Sequence, residues 1–411
     1  MKTKTPTNAD HVNNSGIQTN NPDTRARKRY SVVSKTLNLS GRAFVVVLAL
    51  AASQAIANAQ AIHSQNGLTA LDVSQQRAVG PEVDFVNAQA MPLPLNPESP
   101  DTIQGTIESL MNSPALGPNG GEDGNKGTGA TKPLFLGTPA SQSGGVTPED
   151  FGTNNHPFTT VRADLFSLND NTVYPYRAAG KLFFKIGTSS YICSASMIKR
   201  GIVVTAAHCV ANYGHKQFYS SWQFVPGYRN GAAPFGVWTA KTAYVLTAYY
   251  NGTDNCAVYG VVCPDDVALI VLNGTPGNAA GWFGYWYGGG YTAGGLFQIT
   301  QLGYPAGLDS AAYMERTDSY GYRSAANSNN TIIGSNMNGG SSGGPWLENF
   351  GLPSALTGET NGSFPQQNVV VGVTSWGYTS PAPKEQGAAP FTSGNIQTLI
   401  NAACTAYPGN C

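Results

Sequence analysis

Charge is scarce in this chain: only 11% of its 411 residues are Asp, Glu, Lys or Arg, and 23 basic residues cancel 23 acidic ones. Binding a phosphate backbone needs a basic face to neutralise it, so nucleic acid is excluded as a partner. Long apolar runs are missing too. The run at 43–52 is too short to cross a bilayer as a stable helix, and no other stretch could span one. There is no Cys-x-x-Cys pair, which argues against a structural zinc site. Histidine is limited to five residues, so chemistry that needs an imidazole has few candidates.

What is present favours strands and turns. Glycine (49) and tyrosine (20) are frequent. Residues 1–59 read as a signal peptide. A polar start carries Arg25, Arg27, Lys28 and Arg29, the apolar run follows, and Ala57-Asn58-Ala59 offers a small-x-small cleavage site. The protein is therefore expected to be secreted, to the extracellular space or a periplasm, with no membrane anchor once the signal is removed. Residues 60–155 are poor in apolar residues and lack cysteine. Ile103, Ile107, Leu110 and Met111 have helical spacing, and the Gly/Pro/Ser/Thr-rich tract at 116–153 reads as flexible linker. The region is expected to be a largely disordered pro-segment. Residues 156–411 form the folded domain, with short strand-like runs such as Leu182-Phe183-Phe184, Ile202-Val203-Val204 and Val369-Val370-Val371 between turn residues. All six cysteines lie there, an even number that suggests disulfides in an exported protein. Within this domain only the tail, 394–403, has a helical pattern.

Three stretches carry chemistry, in the order His, Asp, Ser. Val203-Val204-Thr205-Ala206-Ala207-His208-Cys209 runs a strand into small residues that leave room beside an imidazole. Asp265-Asp266-Val267-Ala268-Leu269-Ile270 puts carboxylates at the mouth of an apolar strand. Asn338-Gly339-Gly340-Ser341-Ser342-Gly343-Gly344-Pro345-Trp346 is too rich in glycine for a helix. It reads as a tight loop that presents a hydroxyl and aims backbone N–H groups at one point. A nucleophile, a base near neutral pH and an orienting carboxylate are what acyl transfer by serine requires.

These stretches resemble the chymotrypsin-like (trypsin-fold) serine endopeptidases, and are nearest in style to the glutamyl-endopeptidase-like (V8-like) branch. Thr205 to Cys209, Asp266 to Ile270, Gly340 to Pro345 and Ser375-Trp376-Gly377 match that family's motifs, over roughly residues 172–403. The resemblance implies an all-β fold of two antiparallel six-stranded β-barrels, about 172–272 and 290–393, meeting at the active cleft, with a short C-terminal helix. It implies Ser342 as nucleophile, His208 as base and then acid, and Asp266 as the carboxylate that orients the imidazole, with Asp265 as runner-up. The N–H groups of Gly340 and Ser342 would form the oxyanion hole. Ser375 would brace Asp266, and Gly377 would bond the substrate main chain. A family disulfide corresponds to Cys193–Cys209. Proximity in sequence suggests Cys256–Cys263 and Cys404–Cys411.

The pattern also departs from the family's. Ser341 stands where trypsin has the aspartate that receives the new N-terminus, which argues against that mode of zymogen activation. Asn336, at the expected floor of the substrate pocket, is neutral. Thr374, just before Ser375-Trp376-Gly377, replaces the histidine that reads a carboxylate in acid-specific relatives. The expectation is a monomeric serine endopeptidase acting on protein or peptide substrates through a pocket for small or uncharged side chains. No cofactor or metal is expected, and no ligand cluster calls for calcium. The alternative is a catalytically inactive binding module on the same fold.

Overall fold

The computed structural model describes residues 62–73, 82–96, 118–140, 150–151, 157–164, 170–254, 264–288, 296–323, 331–351, 366–378 and 384–411. The signal peptide, the helical spacing at 103–111, and Cys256 with Cys263 lie outside them.

Two closed barrels dominate, as the resemblance implies. The first contains β1 (Ala179–Ile186), β2 (Ser189–Lys199), β3 (Ile202–Thr205), β4 (Ser220–Pro226), β5 (Trp238–Leu246) and β6 (Ala268–Leu272). They pair antiparallel in the cycle β1-β2-β3-β6-β5-β4 and back to β1, so no edge is left open. The second contains β7 (Leu296–Gly303), β8 (Glu315–Arg323), β9 (Thr331–Gly334), β10 (Pro345–Glu348), β11 (Val369–Tyr378) and β12 (Glu385–Pro390). Its cycle is β7-β8-β9-β12-β11-β10 and back to β7.

Strand β6 shows why some runs are apolar without alternation. Every residue from Ala268 to Leu272 is buried. One face looks into the barrel, and the C-terminal helix Thr398–Ala406 packs over β5 and β6 with Leu399, Ile400 and Ala403 buried. A strand covered on both sides has no use for polar residues. Cys404 near the end of this helix is joined to Cys411 in a disulfide, with a Cα–Cα distance of 5.7 Å. The Asn410 side-chain amide ties the tail to β6 by donating to the Leu272 carbonyl at 3.0 Å.

The described parts of residues 60–155 correct one expectation. They are not free linker: they add strands to both barrels. Leu68–Asp72 pairs with β5, and Gly120–Glu122 pairs with Gly284–Tyr287. The glycines that suggest flexibility serve close approach instead. A Cβ on Gly121 would collide with the Tyr285 carbonyl, and one on Gly124 would lie 2.5 Å from the Trp282 carbonyl. Glycine content alone cannot separate a loose tract from one laid flat against a neighbouring backbone.

Candidate active site

His208 follows β3 within a short 3-10 turn, Ala207–Cys209. Ala206 and Ala207 are fully buried, the room that the small residues suggested. The Cys193–Cys209 disulfide, with a Cα–Cα distance of 6.3 Å, ties this turn to β2. Asp266 precedes β6 and is 1% exposed. One carboxylate oxygen accepts the His208 backbone N–H at 2.8 Å, and the other lies 2.8 Å from His208 Nδ1. Ser375 Oγ donates to that second oxygen at 2.5 Å. Of the two adjacent acids, Asp266 therefore faces the imidazole. Burial, and secondarily the charge of Asp254, pushes the Asp265 carboxyl up to about 7, and the Asp265 backbone N–H donates to Asp254.

Barrel two supplies the glycine loop. Gly340 and Gly343 take φ values of +94° and +78°, the left-handed region that other residues avoid. At Gly343 a Cβ would also strike Thr205 Oγ1, so glycine is required there on two counts. The Ser342 carbonyl accepts the Ser194 N–H of β2 at 2.7 Å, and the Gly343 N–H donates to the Thr374 carbonyl at 2.8 Å. Ser342 is thus held between the barrels, beside the strand end that leads into His208. Ser342 Oγ and His208 Nε2 are both buried, and neither has a hydrogen-bond partner among the described residues.

The remaining candidates differ in what they face. The Gly340 N–H donates to the Met91 carbonyl and the Gly377 N–H to the Pro94 carbonyl, each at 3.0 Å. Thr374 Oγ1 is engaged inside the barrel, accepting from Gln301 at 2.8 Å and Trp346 at 2.9 Å. Trp376 is fully buried and lies over Gly387, where a Cβ would overlap its ring. Asn336 is half-buried, and its buried Oδ1 has no hydrogen-bond partner among the described residues. Ser194, which sequence reasoning missed, joins the two halves: its hydroxyl donates to the Gly340 carbonyl and accepts the Tyr304 N–H, both at 2.9 Å. Its only signal in the sequence is adjacency to Cys193. Among the described residues, one cluster has metal-ligand types, Cys193, His208 and Cys209. Both of its sulfurs are joined in the disulfide, so neither is a thiolate donor.

A double barrel with a buried carboxylate–imidazole pair from one half and a glycine-rich serine loop from the other defines a serine hydrolase architecture. The family model described as Trypsin matches residues 171–397, more than half of the chain, so this chain belongs to the trypsin family of serine endopeptidases. It is 28% identical over 199 residues to an extracellular metalloprotease of Bacillus subtilis, covering 43% of this chain and 60% of that protein. It is 27% identical over 210 residues to a glutamyl endopeptidase of Bacillus licheniformis, covering 49% of this chain and 60% of that protein. The chain thus spans about 60% of the length of each of these relatives. Among solved structures, the protease Anisep of Arthrobacter nicotinovorans is 28% identical with a TM-score of 0.44, covering 56% of this chain and 96% of that one. Among the described residues no helix is long and apolar enough to cross a membrane.

Proposed function

We propose that this chain is a secreted serine endopeptidase in which Ser342, His208 and Asp266 act together, exported by residues 1–59 and matured by loss of a pro-segment within 60–155. The observation that carries the reading is the double hold of Asp266 on His208, through the backbone N–H and ring Nδ1, with Ser375 on the same carboxylate. That arrangement leaves Nε2 as the free basic nitrogen and stabilises the imidazolium once it forms. With a substrate carbonyl present, Ser342 Oγ gives its proton to His208 Nε2 and bonds the carbonyl carbon. The tetrahedral oxyanion accepts the N–H groups of Gly340 and Ser342, an interaction that typically contributes a few kcal/mol. The C–N bond then breaks as the imidazolium protonates the leaving nitrogen, and water hydrolyses the acyl-enzyme by the same steps. The Ser342–His208 hydrogen bond, absent from this arrangement, is made when substrate is bound.

Substrate direction follows from the origin of each group. His208, which protonates the leaving half, belongs to barrel one, so that half exits over β2. The acyl half lies along residues 375–377 of barrel two, with its side chain above the neutral Asn336. The test is labelling of the processed protein with a fluorophosphonate, beside Ser342→Ala. Label on the parent and none on the variant supports the nucleophile. An unlabelled, folded, processed parent favours the binding module instead.

A further inference from the structure

The groups that a substrate must touch are covered by the chain's own upstream segment. Ser342 is fully buried and His208 only 5% exposed. Residues 82–96 cross from one barrel to the other above them. The anchor on barrel one is apolar: Val83 and Ala88 are buried, and Phe85 sits edge-on against Phe183 with ring centroids 5.0 Å apart. The Asp84 N–H donates to Ser190 Oγ at 2.9 Å. Gln89–Ala90 then pairs with Tyr191 and Ile192 of β2, and the Met91 N–H donates to the Ile192 carbonyl at 2.9 Å. The Met91 carbonyl takes the Gly340 N–H, a donor assigned above to the oxyanion. Three residues on, the Pro94 carbonyl takes the Gly377 N–H, assigned above to the substrate main chain, and Leu95–Asn96 pairs with Gly377 and Tyr378.

Both pairings are parallel. A peptide laid the other way across the same two strands would pair antiparallel to each. On the proposed function a substrate runs from β11, where its acyl half lies, to β2, where its leaving half exits. Residues 89–96 run from β2 to β11. The consequence is chemical. Were Ser342 to attack the Met91 carbonyl, the leaving atom would be the Pro92 nitrogen, on the β11 side and away from His208. That nitrogen would receive no proton, and the adduct would collapse back to serine and intact peptide. Pro92 and Pro94 also fix φ, which lowers the entropy lost in holding the segment extended.

We propose that residues 82–96 inhibit their own chain by lying backwards in the cleft, the Met91 carbonyl on the Gly340 N–H and the Pro94 carbonyl on the Gly377 N–H, until the segment is removed. The inference rests on the endopeptidase reading and adds its regulation. Held in cis, the segment competes at an effective concentration in the millimolar range, so it excludes substrate without tight intrinsic binding.

The test uses a fluorophosphonate on culture samples, with the full-length and processed bands resolved by size. The parent's full-length band should label at least about tenfold more slowly than its processed band, and Phe85→Asp, or Leu93→Asp at the side chain lying beside Gly377, should raise the full-length rate about tenfold, with a thermal melt confirming that each variant is folded. Equal rates for the parent's two bands overturn the proposal, as do folded variants that label no faster than the parent. A synthetic peptide of residues 82–96 should inhibit the processed enzyme competitively and survive intact by mass spectrometry. Cleavage of that peptide between residues 89 and 96 would show substrate-like direction and overturn the reversal. If neither band labels, the endopeptidase reading has failed, and the docking is judged alone by fluorescence anisotropy of a dye-labelled 82–96 peptide with the processed protein. Saturable binding then upholds the docking of residues 82–96 but not its inhibitory role, and no binding overturns both.

Discussion

Asp266 holds His208 at two points, the backbone N–H and ring Nδ1, each at 2.8 Å. The double contact fixes both the position of the imidazole and the nitrogen it leaves free. Asp266→Asn presents an amide to Nδ1 and favours the wrong tautomer. The expected loss in kcat on a peptide substrate is about 10⁴-fold, with the fold retained by thermal melt. Asp265→Asn, altering the acid that feels the charge of Asp254 instead, should stay within about threefold of the parent. Equal losses for the two variants would contradict the assignment.

Ser375 supports the same carboxylate from barrel two. Ser375→Ala leaves a buried oxygen with one donor fewer, which costs about 1–3 kcal/mol. The expected outcome is a lower kcat with little change in KM, since the group acts through Asp266 and not on substrate. A rise in KM at constant kcat would point to direct substrate contact.

Asn336 brings no charge to the expected pocket floor. A peptide-library profile of the processed enzyme should favour small or uncharged residues on the acyl side of the cut. Asn336→Asp should shift the preference toward Lys and Arg by about tenfold or more, through pairing with the new carboxylate in a partly buried site. A parent profile dominated by Glu, Asp, Lys or Arg would overturn the neutral-pocket reading.

Glu315 is almost fully buried in β8. Burial, with the charge of Asp309 adding to it, pushes its carboxyl up to about 8. Folding then favours the protonated acid. Between the ordinary carboxylate range and about pH 8 the folded state holds a proton that the unfolded state has lost, so stability falls as pH rises through this window. Glu315→Gln is uncharged at every pH and removes that dependence. Melting temperatures from pH 5 to 8 should decline more steeply in the parent than in the variant, and parallel curves would contradict the burial argument.

The Cys193–Cys209 disulfide closes a loop of 16 residues that ends beside His208. Replacing both cysteines with alanine should cost about 3 kcal/mol, read as a lower denaturant midpoint. Activity should fall more than in a comparable variant lacking Cys404–Cys411, which closes the tail far along the chain from the site.

Much of the candidate site is legible in the sequence because its signals are local. A strand ending in Thr205-Ala206-Ala207-His208, an acid at the mouth of an apolar strand, and a glycine-rich loop around Ser342 each state their chemistry within a few residues. Strand spacing points only to an all-β fold, and the double barrel is what the resemblance carried by these motifs implies. The docking of residues 82–96 and 118–140 was not legible. Proline and glycine read alike in loose chain and in chain pressed flat against a strand, and nothing in Met91-Pro92-Leu93-Pro94 names the strands it crosses. Ser194 is not legible for a related reason: its hydroxyl acts through the backbone of Gly340 and Tyr304, far off in sequence.

By itself, then, the sequence determined which side chains could carry the chemistry, because residue type and local pattern specify a hydroxyl, an imidazole and a carboxylate. The tertiary structure puts Asp266, already favoured over Asp265 by the resemblance, against His208, and it alone decided what occupies the N–H groups of Gly340 and Gly377. Every residue but proline carries the same backbone donor and acceptor. Which ones meet is settled by how the two barrels and the upstream segment pack together, not by the residues that bear them.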